Sequence, residues 1–276
     1  MSWFRATALL LFAGPAWGLE GFVIGTGVEV DTEDAMAATL SADLGIASET
    51  WLSAAVAASR VDLPRGTSID TLYADLGIDH WFEPIGVRAG IAYWGDSDVL
   101  SSNDYRGALY WRNDRFSISG NYEFRDFTFD IFRNDFLPGQ DIEFHANGVG
   151  LSLRVELSPS VDLNLSGMDY DYNVHLGVAQ NRPIVDFLSV SRLSLLNSLL
   201  DHRASAALGV DVGDSRFSLD YSTSTGIVDG RDTESVTLRF LTPVGDRSDI
   251  EFGLGVDRSD DFGSVTIFSV FLYFYG

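Results

Sequence analysis

Cysteine is absent from this 276-residue chain, and so is lysine. Without cysteine there is no disulfide framework and no thiol to carry a lipid anchor, so folding needs no oxidative step. Without lysine, all 18 basic residues are arginine, set against 40 aspartates and glutamates for a net charge of −22. A nucleic-acid-binding chain carries a basic stripe, and this balance argues against nucleic acid as a partner. Long apolar runs are missing too. No stretch reaches the roughly 20 apolar residues that a membrane-crossing helix needs, and no proline- or serine-rich linker divides the chain. Catalytic signatures are equally scarce: neither Gly-x-Ser-x-Gly nor His-Glu-x-x-His occurs.

What is present begins with a short N-terminal segment. Arg5 supplies a positive charge, residues 6–13 are apolar, and Ala16-Trp17-Gly18 places small residues at the −3 and −1 positions before Leu19. This pattern predicts a secretory signal peptide over residues 1–18, with residues 19–276 as a single domain. The remainder repeats one motif, segments of about ten residues that alternate apolar and polar between turn residues. Such segments fall at 22–30, 35–46, 51–61, 68–80, 86–94, 105–112, 115–126, 142–157, 161–172, 203–212, 216–225, 233–241, 250–257 and 263–276. In 68–80, for example, Leu72, Ala74, Leu76 and Ile78 alternate with Thr71, Tyr73, Asp75, Gly77 and Asp79.

The final segment, Gly263-Ser264-Val265-Thr266-Ile267-Phe268-Ser269-Val270-Phe271-Leu272-Tyr273-Phe274-Tyr275-Gly276, is uncharged and rich in β-branched and aromatic residues. Left exposed, such an edge would pair with other chains; paired with the first strand, it closes a barrel whose outside meets lipid. The stretch resembles the terminal strand of Gram-negative outer-membrane β-barrels, a porin-like class. That family usually ends on Phe or Trp, whereas this chain ends Phe274-Tyr275-Gly276, leaving open which aromatic takes the terminal role. The resemblance implies an outer-membrane location, contact with outer-membrane lipid and lipopolysaccharide, and recognition of the last strand by the barrel-assembly machinery.

Together these readings predict an all-β fold, a transmembrane antiparallel up-and-down β-barrel of about fourteen strands, within a range of twelve to sixteen. An even count puts both termini in the periplasm. Short connections after even-numbered strands and long ones at 95–104, 127–141 and 173–202 agree with periplasmic turns and outer loops. Aromatic belts follow, with Trp51, Trp81, Phe82, Trp111, Phe116, Phe217, Phe240 and Phe252 expected at one boundary. Tyr93, Tyr105, Phe124, Tyr170 and Tyr221 are expected at the other. A soluble β-sandwich would use the same alternation for a dry core. The signal segment, the two belts and the terminal strand favour the membrane barrel.

If the apolar parity meets lipid, the other lines a lumen. That set holds Asp75, Asp79, Glu123, Asp162, Asp211, Asp220, Glu251 and Asp257, with Arg88, Arg106, Arg112, Arg125, Arg216 and Arg239, in near balance. A barrel of this size is wider than the eight-stranded type that its own side chains fill. The expected function is a porin-like channel for small hydrophilic or charged solutes, the solute itself unnamed, with no cofactor and no metal. The competing readings are a plugged or export-associated barrel without conductance and a hydrolase of lipid or lipopolysaccharide. Of the four histidines, His80 and His145 share parity with lipid-facing residues, while His175 and His202 bracket a long loop. Acid pairs such as Asp169/Asp171, or Asp257 with Asp260 and Asp261, read as solvated rather than cation-binding. Within the loop, Pro183, Phe187, Leu188, Leu195 and Leu199 fall at helical spacings, predicting a short helical segment that caps or constricts the barrel.

Overall fold

The computed structural model describes residues 20–63, 67–96, 100–131, 140–173, 199–227, 230–259 and 263–276. These form fourteen strands: β1 (Gly21–Asp31), β2 (Ala35–Ala47), β3 (Thr50–Leu63), β4 (Thr67–Trp81), β5 (Ile85–Asp96), β6 (Leu100–Arg112) and β7 (Phe116–Ile131), then β8 (Gln140–Ser158), β9 (Val161–Tyr172), β10 (Leu200–Val212), β11 (Ser215–Gly226), β12 (Asp232–Gly245), β13 (Ser248–Ser259) and β14 (Gly263–Tyr275). Every strand pairs antiparallel with its sequence neighbours, and β1 pairs with β14 to close the barrel. One end carries turns of two or three residues and residues 20 and 276; the other carries connections of three residues or more, the long 132–139 and 173–199 among them.

Local chemistry sets the tight turns. At Asn113 the side-chain oxygen accepts the Arg115 backbone N–H at 3.0 Å, an Asx turn between β6 and β7. Gly213 turns β10 into β11 with φ of 62°, a conformation that favours glycine. Pro243, expected in a loop, lies inside β12 where the register with β13 shifts, a place that tolerates its missing N–H. The segments 100–104 and 127–131, also expected as loop, are strand. They lengthen β6 and β7 because Phe127 and Phe129 face inward and pack there.

The barrel is apolar outside. Leu76, Leu109, Val149 and Leu151 are 58–66% exposed, and the large hydrophobic residues of the outward files share this character. Water would not tolerate such a continuous apolar surface, whereas hydrocarbon favours it. Rings mark its two borders. Near the turn end Trp111 meets Phe116 at 5.5 Å and Phe217 meets Phe240 at 4.8 Å, with Phe82 and Phe252 also outward. Near the loop end Tyr105, Phe124 and His145 form a row at 6.2 and 5.5 Å. Trp51, Trp81 and Tyr170 depart from the expected belts. Trp51 and Tyr170 sit opposite the inward residues Gly45 and Gly148, and Trp81 stacks under Arg112, so all three face the interior.

The seam between β1 and β14 is held by nine register pairs from Val23↔Tyr275 to Asp31↔Ile267. Phe274 faces out opposite Ile24 and Tyr275 faces in opposite Val23, so Phe274 presents the last lipid-facing ring. Inside the seam, Gly27 lies directly beneath the Phe271 ring, where a β-carbon would overlap ring atoms. Gly27→Ala is therefore expected to destabilise the refolded barrel by ~1–3 kcal/mol through overpacking. Gly120→Ala adds its methyl where nothing lies within 4 Å and is expected to stay within about 0.5 kcal/mol of wild type. Urea midpoints in lipid vesicles compare the two, and equal midpoints would show that the ring does not constrain the seam.

Candidate functional site: the barrel lumen

Register assigns the second face. Residues directly opposite on paired strands point the same way, so Asp79↔Arg88, Arg106↔Glu123 and Asp220↔Thr237 all belong to one inward surface. This surface encloses a cavity of about 1230 Å³ bordered by small polar side chains such as Thr39, Ser53, Ser152, Ser205, Ser222 and Thr237. Of the charged residues expected there, Asp75, Asp79, Arg88, Arg106, Glu123, Asp220, Arg239 and Asp257 border the cavity. Arg112, Arg125, Asp162, Asp211, Arg216 and Glu251 occupy inward register positions.

Most of these charges are tied to one another across strands. Arg88 donates to Asp79 at 2.8 and 2.9 Å, and the Tyr110 hydroxyl donates to the same carboxylate at 2.6 Å. Asp75 accepts from Arg106 and from Tyr73. Arg216 bridges Asp162 and Asp211, Arg239 reaches Asp220 at 3.0 Å, and Arg112 lies 3.7 Å from Glu49 over the Trp81 ring. The more exposed of these pairs, such as Arg88–Asp79 and Arg112–Glu49, contribute little individually to stability; they fix where the fork of each guanidinium points.

One network is different because it is dry. Arg125, 1% exposed, donates to Asp104 at 3.2 Å and lies 3.5 Å from Glu123. Ser102 donates to Asp104, while Glu123 accepts from Arg203 at 3.1 Å and from Tyr170 at 3.2 Å. The guanidinium also lies 4.8 Å from the Phe127 ring centroid. Around it an interior cluster fills the loop end on this side: Trp94, Leu100, Phe127, Phe144, Tyr170 and Leu200, with Phe127 stacked on Phe144 at 4.9 Å. Asp104 and Phe127 escape sequence reasoning because their segments read as loop, whereas Trp94 and Phe144 lie at ends of expected strands and Tyr170 is expected in a belt. Arg203 had a usable signal, since it shares parity with Asp211.

Leu199 is the described member of the helical stripe. It is not helical but precedes β10 directly, buried in the interior cluster, and its carbonyl accepts the Ile227 N–H at 2.9 Å. Pro183, Phe187, Leu188 and Leu195 lie outside the described residues, as do His175, Asp260 and Asp261. The near balance of lumen charge does not hold wall by wall. The inward files of β13, β1 and β2 carry Asp249, Glu251, Asp257, Glu29 and Asp43 without an arginine.

Of the four histidines, three are among the described residues, and the rings of two are hydrogen-bonded. His80 Nδ1 meets the Thr50 hydroxyl at 2.7 Å. His202 sits between Asp201 at 3.2 Å and the Thr225 hydroxyl at 3.0 Å, a nucleophile–base–acid order at the loop end. Thr225, however, donates to Asp232 at 2.5 Å, and it is paired in the sheet with His202 on one side and Asp232 on the other.

Removing one member of a dry ion network strands the others. Arg125→Met is expected to cost about 3–5 kcal/mol by leaving Asp104 and Glu123 buried without their cation. Arg88→Met, whose guanidinium is 58% exposed, is expected to cost under about 1 kcal/mol. Equilibrium unfolding of the refolded variants measures both, and similar losses would contradict the distinction between dry and wet networks.

No protein-family model matches this sequence, and no curated protein matches it. Solved structures do. The chain is similar to the CymD monoaromatic hydrocarbon channel at 9% identity and a TM-score of 0.56, covering 93% of this chain and 88% of that one. The KdgM porin in complex with disordered oligogalacturonate aligns at 9% identity over 91% and 98% of the two chains, with a TM-score of 0.44. Pseudomonas aeruginosa OpdK with vanillate aligns at 9% over 93% and 97%, with a TM-score of 0.47. The CymD likeness is one of architecture: this chain has the closed up-and-down barrel fold of an outer-membrane channel.

Proposed function

We propose that this chain is an outer-membrane channel for small hydrophilic or charged solutes, with both termini in the periplasm and the longer connections outside. The observation that carries the reading is the inside-out barrel itself. Its outward face is a continuous apolar band, and its inward face encloses a polar cavity of about 1230 Å³. A stable polar cavity of that size is water-filled, and ions cross a low-dielectric membrane readily only where water or polar groups replace their hydration. Outer-membrane lipid and lipopolysaccharide surround the band, and the outward ring of Phe274 suits recognition of β14 by the barrel-assembly machinery. Leu199 and Leu200 narrow the mouth as part of the interior cluster.

A second reading, hydrolysis of lipid esters, is favoured by the order Asp201–His202–Thr225. It is the weaker one, because the Thr225 proton goes to Asp232 and, among the described residues, the strand N–H groups around it are committed to the sheet rather than free as oxyanion donors.

Planar-bilayer recordings of the refolded protein test both. Wild type is expected to show discrete, steady openings, and Leu199→Ala/Leu200→Ala to show larger steps. A folded barrel that passes no current in either form, yet cleaves phospholipid esters in a manner lost in His202→Ala, would replace the channel reading with the hydrolytic one.

A further inference from the structure

The lumen has two unlike walls. From β4 to β12 most inward arginines are engaged with carboxylates: Arg88 with Asp79, Arg106 with Asp75, Arg125 and Arg203 with Glu123, Arg216 with Asp162, and Arg239 with Asp220; Arg154, inward on β8, lies within electrostatic reach of Asp162. The rest of the circumference, β13 through β3, places no arginine on its described inward positions. Its inward acids are Asp249, Glu251, Asp257, Glu29, Asp43 and, at the loop end where it accepts the Glu33 and Ala35 N–H groups, Asp31. Among the described residues Glu29, Asp43 and Glu251 form no ion pair. Glu29 lies within electrostatic reach of Glu251 and Asp257, and the guanidinium that acts on Glu29 and Glu251 is that of Arg239, which is paired with Asp220 at 3.0 Å.

Aromatic faces share that wall. Trp51 borders the cavity together with Glu29 and Asp43. Phe271 and Tyr273, stacked at 6.3 Å, line the interior of β14 between Glu251 and Asp249 on one side and Gly27 and Gly25 on the other. Carboxylates attract a cation through charge, and ring faces attract it through their quadrupole. Both act in the same direction, and nothing on this wall opposes them.

We propose that the pore selects cations over anions, small organic ammonium ions included, and that Glu29, Asp43 and Glu251 determine the selectivity. This rests on the channel reading above. The opposite wall, where most arginines are paired, contributes width and hydration; Glu29, Asp43 and Glu251 set the sign of the field.

The test is the reversal potential of the refolded protein in a KCl gradient, repeated with methylammonium chloride. Wild type is expected to favour both cations over chloride. Each carboxylate roughly 10 Å from the ion path changes local cation enrichment about twofold, so Glu29→Gln/Asp43→Asn/Glu251→Gln is expected to lower the cation-to-anion permeability ratio severalfold. Asp169→Asn/Asp171→Asn removes charge from the outward file of β9 and is expected to leave the ratio unchanged. Anion preference in wild type, or an unaltered ratio in the triple variant, overturns the proposal while leaving a channel. A shift in the outward control as large as in the triple variant overturns it as well, by making surface charge the cause. Absence of current in every form overturns the channel reading and this inference together.

Discussion

Closure is the constraint on which everything else in this molecule depends. In hydrocarbon an unpaired backbone N–H or C=O has no water to turn to, so a sheet can reside there only when its first and last strands meet. Here β1 and β14 supply that contact, and the seam extends past the regular ladder: the Phe22 N–H donates to the Gly276 carbonyl, and the Gly276 N–H donates back to Phe22. With the edges gone, strand alternation acquires a fixed meaning. One file must satisfy lipid, and the other is left with water and with itself. The exposed leucines, the bordering rings and the cross-strand ion pairs are consequences of that division.

The interior is itself divided. At the loop end, beside β6 to β10, it resembles the core of a soluble protein, with stacked rings and a buried cation whose carboxylates, hydroxyls and ring faces are all in place. Such a network is costly to desolvate and tolerated only when fully satisfied. Elsewhere the lumen is lined by serines, threonines and small residues, which leave volume rather than fill it. One barrel therefore combines a rigid packed shoulder with an open polar cavity. Among the described residues, the shoulder fills the loop end of the lumen on one side only.

Most of this architecture was legible in the sequence, and the reason is periodicity. Alternation such as Leu72–Thr71–Tyr73–Ala74 assigns a face to each residue without any knowledge of the partner strand, so fourteen strands and two faces could be read from one dimension. Strand ends could not. Residues 100–104 and 127–131 extend their strands because Phe127, Phe144 and Tyr170 pack together, and that packing joins residues distant in sequence. The same holds for Trp51 and Trp81, whose inward direction follows from parity but whose type suggested an interfacial belt. Asp104 and Arg203 show the limit most plainly. Each is an ordinary polar residue near a strand end until β6, β7 and β10 bring both to Glu123 and Arg125.

Because each strand hydrogen-bonds in the sheet only to the strands before and after it, apart from the seam, the hairpin is the natural unit of change in this molecule. Deleting or duplicating one hairpin leaves every other pairing intact, keeps the strand count even and keeps both ends of the chain on the same side. Its effect falls on circumference, which grows with strand number. A lineage of such barrels can thus alter barrel width in discrete steps, by recombination at the short turns, wherever the hairpin lies outside the packed cluster beside β6 to β10.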